Sequence, residues 1–218
     1  MAGLLTNVTP DKNLCSKAYH LLAAKYNLPP VDVYLHKLIP MGAGLGGGSA
    51  DAAFMLTALN KLFKLNCADD VLAQLAATLG ADCAFFIRNK PSLATGKGEV
   101  LSVIPLSLKG NYVVIVKPDI HINTADAYKK VKPQQPTKSL TTIISQPKET
   151  WRNELRNDFE EFLFPVYPAI ADIKKQLYNA GAWYASMSGS GSAVYGLFNE
   201  KVQGLEIRDL DLRWMSID

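Results

Sequence analysis

Apolar residues recur at helical spacing in five stretches of this chain and at strand spacing in several shorter ones. Thr9-Pro10 reads as an N-cap with proline at the first helical position. The helix it opens runs to about Asn27, with Leu14, Ala18, Leu21 and Leu22 as its buried stripe. Pro29-Pro30 ends it, and residues 31–38 alternate apolar and polar, as a half-exposed strand does. A second helix is expected over 50–65, with Leu56, Leu59 and Phe63 on one face, and a third over 66–79, with Leu72, Leu75 and Leu79. Gly80 is the natural stop of the third. Residues 92–95 and 99–104 read as two strands joined by the turn Gly96-Lys97-Gly98. Residues 105–110, polar with proline and glycine, form the best boundary and divide the chain into domains 1–107 and 108–218. Beyond it the pattern predicts a strand over 112–116, a short helix over 125–130 capped by Thr124, and a surface loop over 132–150 containing one helical turn. Helices over 151–164 and 168–179 follow, the latter facing Ile170, Ile173 and Leu177 inward. A short strand around Trp183-Tyr184 and another over 194–198 complete the pattern. Mixed helices and strands in two segments predict an α+β, two-domain protein.

The composition excludes several classes. With 218 residues, 48% hydrophobic and 20% charged, the chain has the balance of a soluble globular protein. A net charge of +3 is too small to argue for nucleic acid. Cys15, Cys67 and Cys83 lack metal-ligand spacing and read as free thiols of a reducing compartment. No apolar run approaches membrane-spanning length, and the first residues lack the basic start and long apolar stretch of a signal peptide. A cytoplasmic location is expected.

The chemistry concentrates in Pro40-Met41-Gly42-Ala43-Gly44-Leu45-Gly46-Gly47-Gly48-Ser49. Five glycines precede a helix start, where the first backbone N–H groups lack intrahelical partners and the dipole favours negative charge. The stretch reads as a polyphosphate cradle, with Ser49 as N-cap or phosphate ligand; the plainer alternative is a glycine-rich turn. Gly42, Gly44 and Gly47 satisfy the dinucleotide fingerprint, but the strand before them is half-exposed and no acid stands about 20 residues on. A Walker loop fails because Gly47 is followed by Gly48 and not by lysine. Asp82, between a helix and the apolar run 83–86, is either a turn or cap residue or a functional carboxylate set against a pocket. A second polar glycine stretch, Ser188-Gly189-Ser190-Gly191, lies between two short strands, where a hairpin turn is the plain reading.

Together these motifs resemble those of the GHMP kinase superfamily (galactokinase, homoserine, mevalonate and phosphomevalonate kinases). Pro40-x-x-x-Gly-Leu-Gly-Gly-Gly-Ser-Ala resembles its phosphate loop, and Ser-Ala-Asp-Ala-Ala after the triple glycine looks most like its diphosphocytidyl-methylerythritol kinase branch. Leu-Gly-Ala-Asp ending at Asp82 resembles the segment that supplies that branch's catalytic aspartate. The Gly-Ser-Gly loop at Ser188–Gly191 is similar to the superfamily's third motif, which packs beside the phosphates. The resemblance covers residues 13 to about 198.

The resemblance implies a partial ribosomal-S5-like N-terminal domain and a ferredoxin-like C-terminal domain. It implies an ATP-dependent kinase phosphorylating the 2-hydroxyl of a cytidylyl sugar alcohol in non-mevalonate isoprenoid synthesis. Pro40 through Ser49 would hold ATP phosphates and Mg²⁺ would bridge them. Asp82 would act as general base, Asn13 and Lys37 would line the adenine pocket, and Tyr128 would stack on the cytosine beside Thr124. For Asn13 and Lys37 the plainer readings are a helix-start polar residue and a solvated strand lysine; for Tyr128, a core aromatic of a small helix; for Thr124, a cap. No metal ligand carries over, because the serine that binds metal in the mevalonate branch aligns with Gly48. The family's first strand, with an Ala-Lys-Ile-Asn-Leu-like motif and an Asp-Gly-Tyr-His segment, has no counterpart here. A shortened chain of this kind is expected to transfer phosphate poorly and, through an uncovered sheet edge, to self-associate as a homodimer. The alternatives are another small-molecule kinase of the superfamily, homoserine kinase-like, and a nucleotide-binding fragment without turnover.

Overall fold

The computed structural model describes residues 2–4, 8–131, 136–203, 207 and 212–217. The chain forms two compact units, one of residues 1–41 and 46–105, the other of residues 42–45 and 106–218. Four residues inside the glycine loop, Gly42–Leu45, thus belong with the C-terminal unit, a division that no local pattern signals.

In the first unit, β1 (Ala2–Gly3) pairs in parallel with β2 (His36–Lys37). The strand expected over 31–38 is therefore only two residues long; Val33, Tyr34 and Leu38 around it stay exposed and bury no face that would extend it. Pro10–Lys12 is a single 3-10 turn, and α1 (Leu14–Tyr26) begins behind Asn13, whose Oδ1 accepts from Cys15 N at 2.8 Å. Helix α2 (Gly47–Leu62) starts and stops three residues earlier than its apolar pattern suggests. It stops there because Lys64 and Asn66 take left-handed backbone and Asn60 holds the following turn through both Cys67 N and Cys67 O. Next come α3 (Asp69–Leu79) and α4 (Cys83–Arg88), then the antiparallel hairpin β3 (Ser92–Thr95) and β4 (Val100–Val103). The core of this unit is Ala18, Leu22, Ala52, Leu56, Leu59, Leu72, Ala76 and Cys83. The small residues let α1 and α2 approach closely.

The second unit is built on an antiparallel sheet in the order β6-β7-β5-β8: β5 (Tyr112–Val116), β6 (Tyr184–Met187), β7 (Val194–Phe198) and β8 (Leu212–Ser216). That is the strand order of the ferredoxin-like split βαβ, so the α+β class expected from the sequence holds. Between β5 and β6 lie α5 (Thr124–Lys130), α6 (Leu140–Ile144), α7 (Trp151–Glu154), α8 (Phe159–Val166) and α9 (Pro168–Asn179). Val114, Val116, Ile170, Ile173, Leu177, Met187, Val194 and Phe198 form its core. The single helix expected over 151–164 is two, because Leu155 turns to extended backbone and the Asn157-Asp158 pair, poor helix formers that bond locally, starts afresh. Of the residues expected in the 132–150 loop, 132–135 lie outside the described residues.

Candidate functional site

The glycine loop divides between the two units. In the first unit Gly46, in left-handed backbone at φ +65°, is the N-cap of α2, and Ala50 N donates to Gly46 O at 2.9 Å. The N–H groups of Gly47, Gly48 and Ser49 precede that first intrahelical bond and have no helical acceptor. Ser49 is therefore the third residue of the helix and not its cap; its hydroxyl meets the Cys83 thiol. Burial pushes that thiol's pKa up, the Ser49 hydrogen bond opposes the shift, and the neighbouring Asp82 charge adds to it.

Lys37 departs from the solvated strand lysine its sequence context suggests. It is 3% exposed, and its ammonium pairs with Asp51 at 2.5 Å. It lies against Gly47, where an added Cβ would stand 3.2 Å from Nζ and 2.8 Å from Ile39 Cγ2. A lysine engaged in this way supports the floor of the loop. Asn13 likewise has its side-chain oxygen committed to capping α1.

Asp82 occupies the cap position of α4 yet makes no capping bond, and its carboxylate has no hydrogen bond or ion pair among the described residues. The exposed carboxylate faces the Gly96–Gly98 turn, with Oδ1 3.7 Å from the Cβ position of Gly98. Its side chain caps nothing, and its backbone lies in the turn closed by Cys83 N donating to Gly80 O at 3.0 Å.

In the second unit the first half of the loop meets the second glycine stretch. Ser188 Oγ donates to Gly44 O at 2.7 Å, and Ala193 N donates to Ala43 O at 3.0 Å. Gly44, at φ +75°, has no space for a Cβ, because the Ser188 carbonyl oxygen and Gly191 occupy it. The two stretches singled out separately in the sequence are thus interlocked backbone to backbone. Thr124 is not the cap of α5. Asn123 is, through Asp126 N at 3.1 Å, and Thr124 Oγ1 instead lies 3.2 Å from Ser190 Oγ. Tyr128 is 65% exposed and packs edge-on against Phe159 with ring centroids 5.0 Å apart, so it is no core aromatic. His121, which the sequence reading passed over, touches Gly42: a Cβ there would meet its ring at 2.8 Å.

Among the described residues no group of three His, Cys, Asp or Glu side chains is arranged to hold a metal, and no helix is long and apolar enough to cross a membrane. Cys15, Cys67 and Cys83 are free thiols.

The family description GHMP kinases N terminal domain matches residues 13–90, and GHMP kinases C terminal matches residues 143–209. A 4-diphosphocytidyl-2-C-methyl-D-erythritol kinase of Bacteroides fragilis is 55% identical over 207 residues, which are 94% of this chain and 76% of the relative. A crystal structure of 4-(cytidine 5'-diphospho)-2C-methyl-D-erythritol kinase superposes with a TM-score of 0.75 at 32% identity, over 90% of this chain and 74% of that one. A homoserine kinase from Cytophaga hutchinsonii shares the fold, with a TM-score of 0.68, but only 19% identity, over 96% of this chain and 77% of that one.

Proposed function

The chain belongs to the GHMP kinase family, and from that premise we propose that it uses ATP to phosphorylate the 2-hydroxyl of 4-diphosphocytidyl-2-C-methyl-D-erythritol, a step of the non-mevalonate route to isoprenoids. The observation that carries the phosphate chemistry is the row of free N–H groups at Gly47, Gly48 and Ser49, at the positive end of a sixteen-residue helix. Phosphoryl transfer is mostly positioning and charge stabilisation. The backbone donors hold the phosphates. Lys37 and Asp51, neutralising one another, fix the helix start behind them. The unengaged Asp82 carboxylate takes the proton of the acceptor hydroxyl as its oxygen bonds to the γ-phosphorus and the bond to ADP breaks. Tyr128 offers an exposed face to the cytosine ring, with Thr124 beside the second loop.

Mg²⁺ would supply charge neutralisation on the phosphates when bound. The same reading places the protein in the cytoplasm and has it self-associate through the exposed apolar side chains around β2, Tyr34 and Leu38 among them, 78% and 72% exposed. ATP turnover stimulated by the cytidylyl substrate but not by homoserine is the expected result. Stimulation by homoserine instead, or nucleotide binding without any turnover, would overturn it.

A further inference from the structure

The break between α7 and α8 places a polar hand against the second glycine stretch. Asn157 Nδ2 donates to Met187 O at 2.7 Å and to Gly189 O at 2.8 Å, spanning the base of the loop. Its Oδ1 accepts from Phe159 N at 2.9 Å and so starts α8. One turn on, the buried Glu160 accepts from Met187 N at 2.8 Å and from Ser186 Oγ at 3.1 Å, and its other oxygen accepts from Lys174 Nζ at 2.5 Å. A buried carboxylate with three donors is satisfied and rigid. The stretch from Ser186 to Gly189 is therefore held from outside, by side chains of one short helix start. From that held stretch Ser188 reaches Gly44 O, and just beyond it Ala193 N reaches Ala43 O.

We propose that Asn157 is a positioning residue of the kinase, its carboxamide clamping the second glycine loop so that Ser188 fixes the Gly44 carbonyl of the phosphate loop. This rests on reading that loop as the nucleotide cradle. A ligand bound through backbone N–H groups depends on peptide orientation, and a peptide whose carbonyl is pinned cannot rotate its neighbours out of register. The clamp acts on nucleotide affinity without touching the nucleotide.

The test uses ADP with Mg²⁺ as the probe, binding followed by calorimetry, and thermal unfolding in parallel. Asn157→Asp keeps the oxygen that starts α8 but replaces the two donated hydrogen bonds by an acceptor facing two carbonyls. A residue serving only the helix start would leave ADP affinity unchanged in this variant. The clamp instead predicts about tenfold weaker ADP binding, the scale of one to two lost hydrogen bonds. Ser188→Ala breaks the next link and should weaken binding similarly, and the double variant should be no worse than the poorer single one, because all act through one chain of contacts. Losses that add in the double variant, or Asn157→Asp affinity within twofold of the wild type, overturn the proposal. Should Asn157→Asp not fold, undiminished ADP binding by Ser188→Ala overturns it alone. Failure of the cradle reading is distinguishable, since the wild type itself would then bind no ADP, and that result overturns both.

Discussion

The ammonium of Lys37 and the carboxylate of Asp51 meet at 2.5 Å, with side chains 4% and 27% exposed, directly behind the first residue of the helix that follows the glycine loop. An ion pair taken out of water returns little net stability, but removing one partner strands the other. Lys37→Met should therefore destabilise the protein by about 3 kcal/mol in denaturant titration, and Asp51→Leu in the same background should recover most of it. If the double variant is no more stable than Lys37→Met, the pair does not act as a unit.

Two glycines of the loop differ in what they tolerate. Gly44→Ala forces a side chain onto the Ser188 carbonyl in left-handed backbone, so both stability and nucleotide affinity should fall. Gly48→Ala adds a methyl 3.7 Å from Leu14 Cδ1 inside a helix and should stabilise by about 0.5–1 kcal/mol through helix propensity alone. Melting temperatures and ADP affinities of the two variants decide it. Equal behaviour would mean that the close approach at Gly44 is not the reason for its glycine.

Much of this was legible in the chain itself. The glycine run stands directly before a helix start, as expected, and the strands over 112–116 and 194–198 stand where their short apolar runs put them. The partnership of each polar side chain was not legible, because it depends on residues far away in sequence. Lys37 reads as a solvated strand lysine until Asp51 is placed beside it. Thr124 reads as a cap, but the fold gives that role to Asn123, the residue before it. Asn157-Asp158 did carry a signal, a helix-breaking pair inside an apolar pattern, and it marks the clamp on the second loop.

Asp82 makes no bond that a change of charge would break, so Asp82→Asn should leave the melting temperature and ATP affinity alone. Loss of a general base lowers kcat by about a hundredfold or more. Near-normal turnover with the cytidylyl substrate would remove Asp82 from the chemistry.

Tyr128 is exposed and packs edge-on with Phe159. Base stacking on an aromatic ring is worth about 1–3 kcal/mol, so Tyr128→Ala should raise KM for the cytidylyl substrate by about tenfold or more. Tyr128→Phe should behave as wild type, and neither change should alter the KM for ATP. A stability loss without a KM effect would assign the ring to packing.

Among the described residues, burial makes five groups resist ionisation. Burial raises the pKa of the Cys15 and Cys83 thiols above their ordinary 9.0, and that of the Tyr178, Tyr184 and Tyr195 phenols above their ordinary 10.0. At Cys15 the Asp51 charge adds to the burial effect and Lys37 opposes it; at Tyr184 the neighbouring Tyr195 adds to it. Each group is protonated in both states below its unfolded pKa and contributes no pH dependence there. Above that value the unfolded chain loses the proton first, so the folded state binds more protons and stability falls as pH rises. The decline should begin near pH 9 with the thiols and steepen above pH 10 with the phenols. Denaturation midpoints measured from pH 7 to 11 should be flat at first and then drop. Replacing Cys83 by alanine should remove part of the early decline and leave the later one, and a midpoint rising above pH 9 would contradict the burial of these groups.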